Sequence, residues 1–235
     1  MEMDDSLPEI GSFEEQWELQ REKFNTWNYR ESGGFYGVGI TEEATQIWQP
    51  GWVGGGMSSY ALMKLGGKKE WERGMSTLRH LFRTQGPSGL FYGMCTQEGE
   101  LRNDAFGHAG AEDWVLIRKS ADVLYFLFKH FRLIQENGQR IPEEFLTGTR
   151  KLADRFVALW QKYGQFGQFV NIRTGKIAAG GSTSAGIAPA ALVSAYEFFG
   201  DPIYLETAKE SGEMYFYRDA SRGYTTGGPG EILQG

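Results

Sequence analysis

A loop signature recurs along this chain, each time after a helical stretch. It reads Ser32-Gly33-Gly34-Phe35-Tyr36-Gly37, then Ser88-Gly89-Leu90-Phe91-Tyr92-Gly93. It returns more loosely as Gly164-Gln165-Phe166-Gly167-Gln168-Phe169 and as Ser221-Arg222-Gly223-Tyr224-Thr225-Thr226-Gly227. Self-similarity at a long period constrains architecture more than any local pattern, because each repeat buries its apolar face only against its neighbours.

Between the copies the apolar periodicity predicts helical hairpins. A leading helix is expected over 12–28, with Ser12 and Glu15 as a capping box and Phe13, Trp17, Phe24 and Trp27 at helical spacing. Three pairs follow, over 53–65 and 68–84, 114–135 and 142–163, and 189–199 and 202–217. Gly67, Gly138 and Gly200 mark their turns, and Pro142 and Pro202 open second members where a missing N–H is harmless. In the last two pairs the first member is apolar round much of its circumference, as Val115, Leu116, Ile117, Val123, Leu124, Leu127 and Phe128 show. The second is amphipathic, with Phe145, Leu152, Phe156 and Leu159 on one face and Lys151, Asp154 and Lys162 on the other. An inner buried helix therefore alternates with an outer one.

The segment Ala195-Tyr196-Glu197-Phe198-Phe199-Gly200-Asp201-Pro202-Ile203-Tyr204-Leu205-Glu206-Thr207-Ala208 resembles the hairpin turn of the six-hairpin glycosidase group. The resemblance covers most of 12–235, with 1–11 as a tail. It implies an all-α toroid of helical hairpins, (α/α)6, with short β-like segments in its loops. The same architecture serves glycoside hydrolases, unsaturated glucuronyl hydrolases, polysaccharide lyases and sugar epimerases, so the motifs identify the fold better than the substrate. Three hairpins and one leading outer helix make about half of a six-hairpin ring. The expectation is an arc: a piece of a larger enzyme, or a ring completed by a second copy or another chain.

Composition excludes several other classes. A net charge of −6 argues against a nucleic-acid surface, which needs a basic face. No uninterrupted apolar stretch is long enough for a membrane span, and residues 1–7 lack the basic and apolar regions of a signal peptide. The single cysteine, Cys95, has no partner for a disulfide, and a free Cys is more often a small buried hydrophobe than a nucleophile. His80, His108 and His130 do not have zinc-ligand spacing, and neither a metal nor a cofactor is expected.

In the resembling fold the cavity opens at the N-terminal ends of the inner helices, so the outer-to-inner loops 31–52, 86–113, 164–188 and 218–235 reach its mouth. The 86–113 loop is richest in chemistry, with Glu98, Glu100, Arg102, Asn103, Asp104, His108, Glu112 and Asp113. A glycosidase needs one carboxylic acid for the leaving oxygen and a second carboxylate for water or for nucleophilic attack. Asp113, Glu98 and Asp104 are candidates, with Glu231 in the last loop and His108 as an alternative base. Asp113 equally suits a helix N-terminus placed beside Trp114, and 98–104 equally suits a solvated β-hairpin.

For substrate contacts the candidates are Trp48, Gln49, Trp52, Arg102, Trp114, Arg118 and Tyr224. Tryptophan would stack on sugar rings or fill the core; arginine would clamp a carboxylate or face solvent. Gly54-Gly55-Gly56 serves close approach of a ligand or close packing of helices. Glycoside hydrolysis is the first expectation, on a carbohydrate substrate. A lyase or epimerase on the same frame, with His108, Tyr36, Tyr92 or Tyr224 as base, is the second. A non-catalytic glycan- or protein-binding helical module is the third.

Overall fold

The computed structural model describes residues 11–38, 48–96, 99–104, 109–181 and 184–222, with side chains through 216. Seven α-helices dominate the described residues. The outer set is α1 (Phe13–Lys23), α3 (Lys68–Arg83), α5 (Glu143–Tyr163) and α7 (Pro202–Arg222); the inner set is α2 (Met57–Leu65), α4 (Ile117–Glu136) and α6 (Ala188–Phe199). Each inner helix packs on the outer helix that follows it, α4 packs on both α2 and α6, and α5 packs on both α3 and α7. Two concentric layers of an arc result, as the alternation of buried and amphipathic helices requires. No helix among the described residues is long and apolar enough to cross a membrane.

The turns follow the expected chemistry. α5 and α6 end on Gly164 and Gly200, both left-handed, and Asp201 Oδ1 accepts the Ile203 N–H at the start of α7. At the α2–α3 turn Glu70 accepts the Gly67 N–H at 2.8 Å. Burial opposes the charge on this carboxyl, but the Glu70 and Gly67 backbone N–H groups, Asn25 and Arg21 together hold it below its ordinary range. The α1 cap forms as expected, with Ser12 and Glu15 bonded reciprocally.

The recurring loop signature is a core plug. Gly34, Gly89 and Gly167 all take positive φ, which lets the chain turn back and sink an aromatic side chain from each copy into the core. Phe35 and Tyr36, Phe91, and Phe166 are all buried. Phe166 lies among Phe156, Trp160 and Tyr215 at ring distances of 5.3–5.6 Å. The fourth copy begins at the end of α7 and runs beyond the described residues.

Four boundaries differ from the sequence expectation, one being the end of α7, which runs to Arg222 rather than 217. The leading helix changes at Phe24–Asn28 into a π-helical turn. The first inner helix starts at Met57 rather than 53, because the three glycines form a tight loop with Gly55 at φ 68°. Residues 114–116 do not open a helix. Trp114–Leu116 is a strand, β5 in a set that begins with β1 (Tyr29–Arg30), β2 (Phe35–Tyr36), β3 (Met94–Cys95) and β4 (Leu101–Arg102). It pairs antiparallel with β6 (Phe169–Asn171), which pairs with β7 (Ile177–Ala179). β1 and β2 form a hairpin, as do β3 and β4.

The glycine loop before α2 leaves no space. A Cβ on Gly54 would lie 2.4 Å from the Trp48 indole, one on Gly55 2.6 Å from Leu81, and one on Gly56 1.8 Å from the Gly51 carbonyl oxygen. Close packing, not ligand approach, explains these glycines. Gly56→Ala is expected to lower unfolding stability by about 3 kcal/mol, the upper end of overpacking costs, because the obstacle is backbone. Denaturant unfolding at neutral pH checks this.

Candidate functional site

The N-terminal ends of α2, α4 and α6 define one end of the arc, and three loops meet there. The first is 48–56. Its backbone folds on itself through Gly54 N–H to Gln49 O at 3.0 Å and Gly51 N–H to Gly54 O at 3.1 Å. Its two tryptophans have opposite fates. Trp48 is fully buried, with Gly54 beneath the indole and the His80 ring edge-on at 5.1 Å. It is a core residue and offers no face to a sugar. Trp52 is 52% exposed and is the aromatic surface this loop presents. Gln49, three residues before it, is half-buried.

Gly51, with φ 84°, rests on the first turn of α4: a Cβ there would lie 3.0 Å from the Lys119 carbonyl oxygen and 3.1 Å from Asp122 Cβ. The Trp52 loop is thereby set, through Gly51, against Lys119 and Asp122. Arg118 Nε donates to both Asp122 carboxylate oxygens, at 2.9 and 3.0 Å. Asp122 is almost fully buried and Arg118 only partly so. The sequence reading singled out Arg118 and missed Asp122. The signal was there, since the two stand four residues apart and face the same side of the helix.

The second loop carries Asp104. Its carboxylate is fully buried and takes Lys119 Nζ at 2.6 Å and the Leu116 N–H at 2.8 Å. Lys119 Nζ also donates to the Gly93 carbonyl at 2.8 Å, and the Asp104 N–H donates to Trp114 O. A carboxylate so enclosed holds the loop to the start of α4. Its geometry is that of a positioning residue and not of an acid facing a substrate oxygen.

Asp113 lies in a turn before β5, not at a helix start. The Arg173 Nε donates to it at 2.8 Å, an exposed ion pair across the β5–β6 sheet that raises the arginine above its ordinary range. Trp114, half-buried on β5, lies 6.0 Å from the Phe169 ring. Glu112 accepts the Gly110 N–H, which pulls its carboxyl below the ordinary range. Arg102 forms an exposed pair with Glu100 on the β3–β4 hairpin, so part of 98–104 is indeed a β-hairpin with solvated charges. Glu98, His108, Tyr224 and Glu231 lie outside the described residues. Among the tyrosines weighed as bases, Tyr36 is buried and hydrogen-bonded to Asn25. Burial raises its hydroxyl well above the ordinary range, which unsuits it to proton abstraction. Tyr92 is half-buried near Arg173. No cluster of three or more His, Cys, Asp or Glu residues suited to a metal occurs among the described residues.

The elements brought together at this end are therefore Trp52, Gln49, Arg118 and Asp122, with Asp104 and Lys119 as the support beneath them. Asp113 and Arg173 sit to one side on the three-stranded sheet.

Two layers of alternating inner and outer helices, with loops gathered at the N-terminal ends of the inner ones, define an arc of an (α/α)6 toroid. Two solved structures are similar to it throughout most of its length. One is cellobiose 2-epimerase from Bacillus thermoamylovorans B4167, with a TM-score of 0.63 and 10% identity, covering 85% of this chain and 53% of that one. The other is a D-mannose isomerase, with a TM-score of 0.60 and 15% identity, covering 86% of this chain and 55% of that one. The chain thus spans about half the length of the structures it matches. No protein-family model matches it, and no curated protein does.

Proposed function

We propose that this chain forms part of a carbohydrate-active toroid enzyme, with its sugar-binding mouth at the N-terminal ends of α2, α4 and α6. The observation that carries the reading is the exposed Trp52 next to Gly51, which packs on the part of α4 that carries the Arg118–Asp122 pair. An aromatic face beside fixed polar groups suits a sugar ring, which has an apolar face and a rim of hydroxyls. The arginine supplies donors and the carboxylate supplies acceptors, so a neutral sugar finds both without a net charge to satisfy.

Within that class, sugar epimerisation or isomerisation fits better than glycoside hydrolysis. Hydrolysis needs two carboxyl groups flanking the scissile oxygen. Of the named candidates that are described, Asp104 is enclosed by Lys119 and the Leu116 N–H, and Asp113 is held by Arg173. Asp104 is closed to a leaving group in this arrangement, and Asp113 is paired though partly exposed. Epimerases and isomerases instead move one proton next to a carbonyl, for which Tyr92 or His108 are the bases this chain offers. The two similar structures, an epimerase and an isomerase, support that choice.

Sugar binding is tested first. Titrating the protein with mannose, glucose and cellobiose while following tryptophan fluorescence is expected to give saturable binding. Trp52→Ala and Arg118→Ala are each expected to weaken it at least tenfold, the loss of roughly 1.4 kcal/mol. Binding that is absent, or unmoved by both substitutions, would sink the proposed mouth. Incubation of the same sugars in deuterated water then separates the chemistries: label entering next to the carbonyl carbon marks epimerase or isomerase chemistry, and new reducing ends from cellobiose mark hydrolysis.

A further inference from the structure

The sheet of β5, β6 and β7 has one face that the core does not use. An antiparallel sheet commonly packs one face on the core and solvates the other, and the solvated face is normally polar. The buried face is ordinary: Val115 stands opposite Val170, and both are fully enclosed. The other face carries Trp114, Leu116 and Phe169, all half-buried, with Ala179 opposite Phe169. Among the described residues, these three large side chains neither join the hydrophobic core nor pack against it. Asn171, opposite Trp114, is the polar member of this face, yet its Oδ1 is taken up by the hairpin turn. It accepts from the Arg173 and Thr174 N–H groups and from the Thr174 hydroxyl, at 2.9–3.1 Å.

Fixed polar groups stand at the Trp114 end of the ladder. Arg173 bonds Asp113 Oδ1 through Nε alone. Among the described residues, its two terminal nitrogens and Asp113 Oδ2 make no hydrogen bond. The arginine side chain is 69% exposed and the aspartate 34%. An apolar platform beside open donors and acceptors is thus present twice on this rim: at Trp52 with Arg118 and Asp122, and at Trp114 and Phe169 with Arg173 and Asp113. The two are also continuous, because β5 runs straight into α4. Trp114 lies four residues before Arg118, at most about 14 Å away even in a fully extended chain. A sugar of two or three linked rings can touch both.

From this we infer that the Trp114–Phe169 face is a second sugar subsite, and that the substrate is an oligosaccharide rather than a free monosaccharide. The inference rests on the sugar-binding reading of the mouth and adds where the next ring lies. One ring sits at Trp52. The next stacks on Trp114, with its hydroxyls toward the terminal nitrogens of Arg173 and the open oxygen of Asp113. Asp113 and Arg173 are then the contacts that select for chain length.

Calorimetric titration tests this, because its signal does not depend on the tryptophans being replaced. The probes are glucose, mannose, cellobiose, maltose and mannobiose. At least one disaccharide is expected to bind about tenfold or more tightly than its monosaccharide. Trp114→Ala is expected to cut that advantage to about twofold and to leave monosaccharide affinity unchanged, whereas Trp52→Ala weakens both. Arg173→Ala, at an exposed position, is expected to reduce the same advantage severalfold. It keeps the test decisive if Trp114→Ala loses its native circular dichroism. Disaccharides bound no more tightly than monosaccharides would overturn the inference and leave the mouth standing. A disaccharide advantage that survives both substitutions would also overturn it. If the unaltered protein binds none of the five sugars, the reading of the mouth fails and the second subsite fails with it.

Discussion

Asp104→Ala is expected to destabilise the protein by about 3–5 kcal/mol, the range for breaking a buried ion pair from one side. Two bonds are lost together, Lys119 Nζ to the carboxylate and the Leu116 N–H to the same group, and with them the loop contact they fix. The lysine remains mostly buried, with the Gly93 carbonyl as its remaining acceptor, and the Leu116 N–H loses its acceptor. That leaves an uncompensated charge and an unpaired donor, which is costlier than losing the pair as a whole. The double variant Asp104→Ala, Lys119→Met is therefore expected to recover part of the loss. Urea unfolding of the two variants at neutral pH measures both effects. If Asp104→Ala costs under 1 kcal/mol, the carboxylate does not hold the loop, and Asp104 returns as a candidate acid.

The second large effect is acid sensitivity. His130 is fully buried between α2 and α4. Its Nδ1 lies 2.7 Å from the Phe126 carbonyl and carries the ring proton; its Nε2 lies 3.1 Å from Ser59 Oγ, whose hydroxyl is also 3.1 Å from the Gly56 carbonyl oxygen. Burial lowers the imidazole to about 4 against an ordinary 6.5, with the Phe126 hydrogen bond opposing the shift. His80, packed against Phe35 and Trp48, is also lowered to about 4, by burial and then by Arg83. Both groups bind protons more readily in the unfolded chain. Their contribution is full above about pH 6.5 and is lost as pH falls towards 4; below that it is level. At 1.36 kcal/mol per unit, each site contributes about 3 kcal/mol over that window. Urea midpoints between pH 7.5 and 4 are expected to fall steeply, and His130→Gln is expected to flatten the slope. An unchanged slope in that variant would refute the assignment to His130.

The frame was readable in the sequence because its signals are local. Gly67, Gly138 and Gly200 punctuate three hairpins, and the alternation of buried and amphipathic helices needs only one chain's periodicity. The rim was less readable. Trp114-Val115-Leu116 runs straight into an apolar helix, so no change of period announces β5, and its partner Phe169–Asn171 lies far along the chain. Trp48 and Trp52 look alike in sequence, and only the space beside Gly54 sends one inward. Asp104 looked like a catalytic acid because a carboxylate in a loop carries no sign of burial. Lys119, which claims it, stands a full loop away on α4. Asp122 was legible and overlooked: its spacing from Arg118 was the clue.

The sheet of β5, β6 and β7 has a bearing on how such a protein can be altered. It stitches the loop entering α4 to the loop entering α6, residue against residue from Trp114–Asn171 to Leu116–Phe169. Loops on a helical scaffold are usually treated as separable parts that can be exchanged singly. Here two of them share a backbone ladder, and a one-residue slip of either strand would turn its side chains to the opposite face from its partner's. A graft meant to change the preference of this rim has to carry β5 together with the β6–β7 hairpin, as one exchangeable unit drawn from one donor.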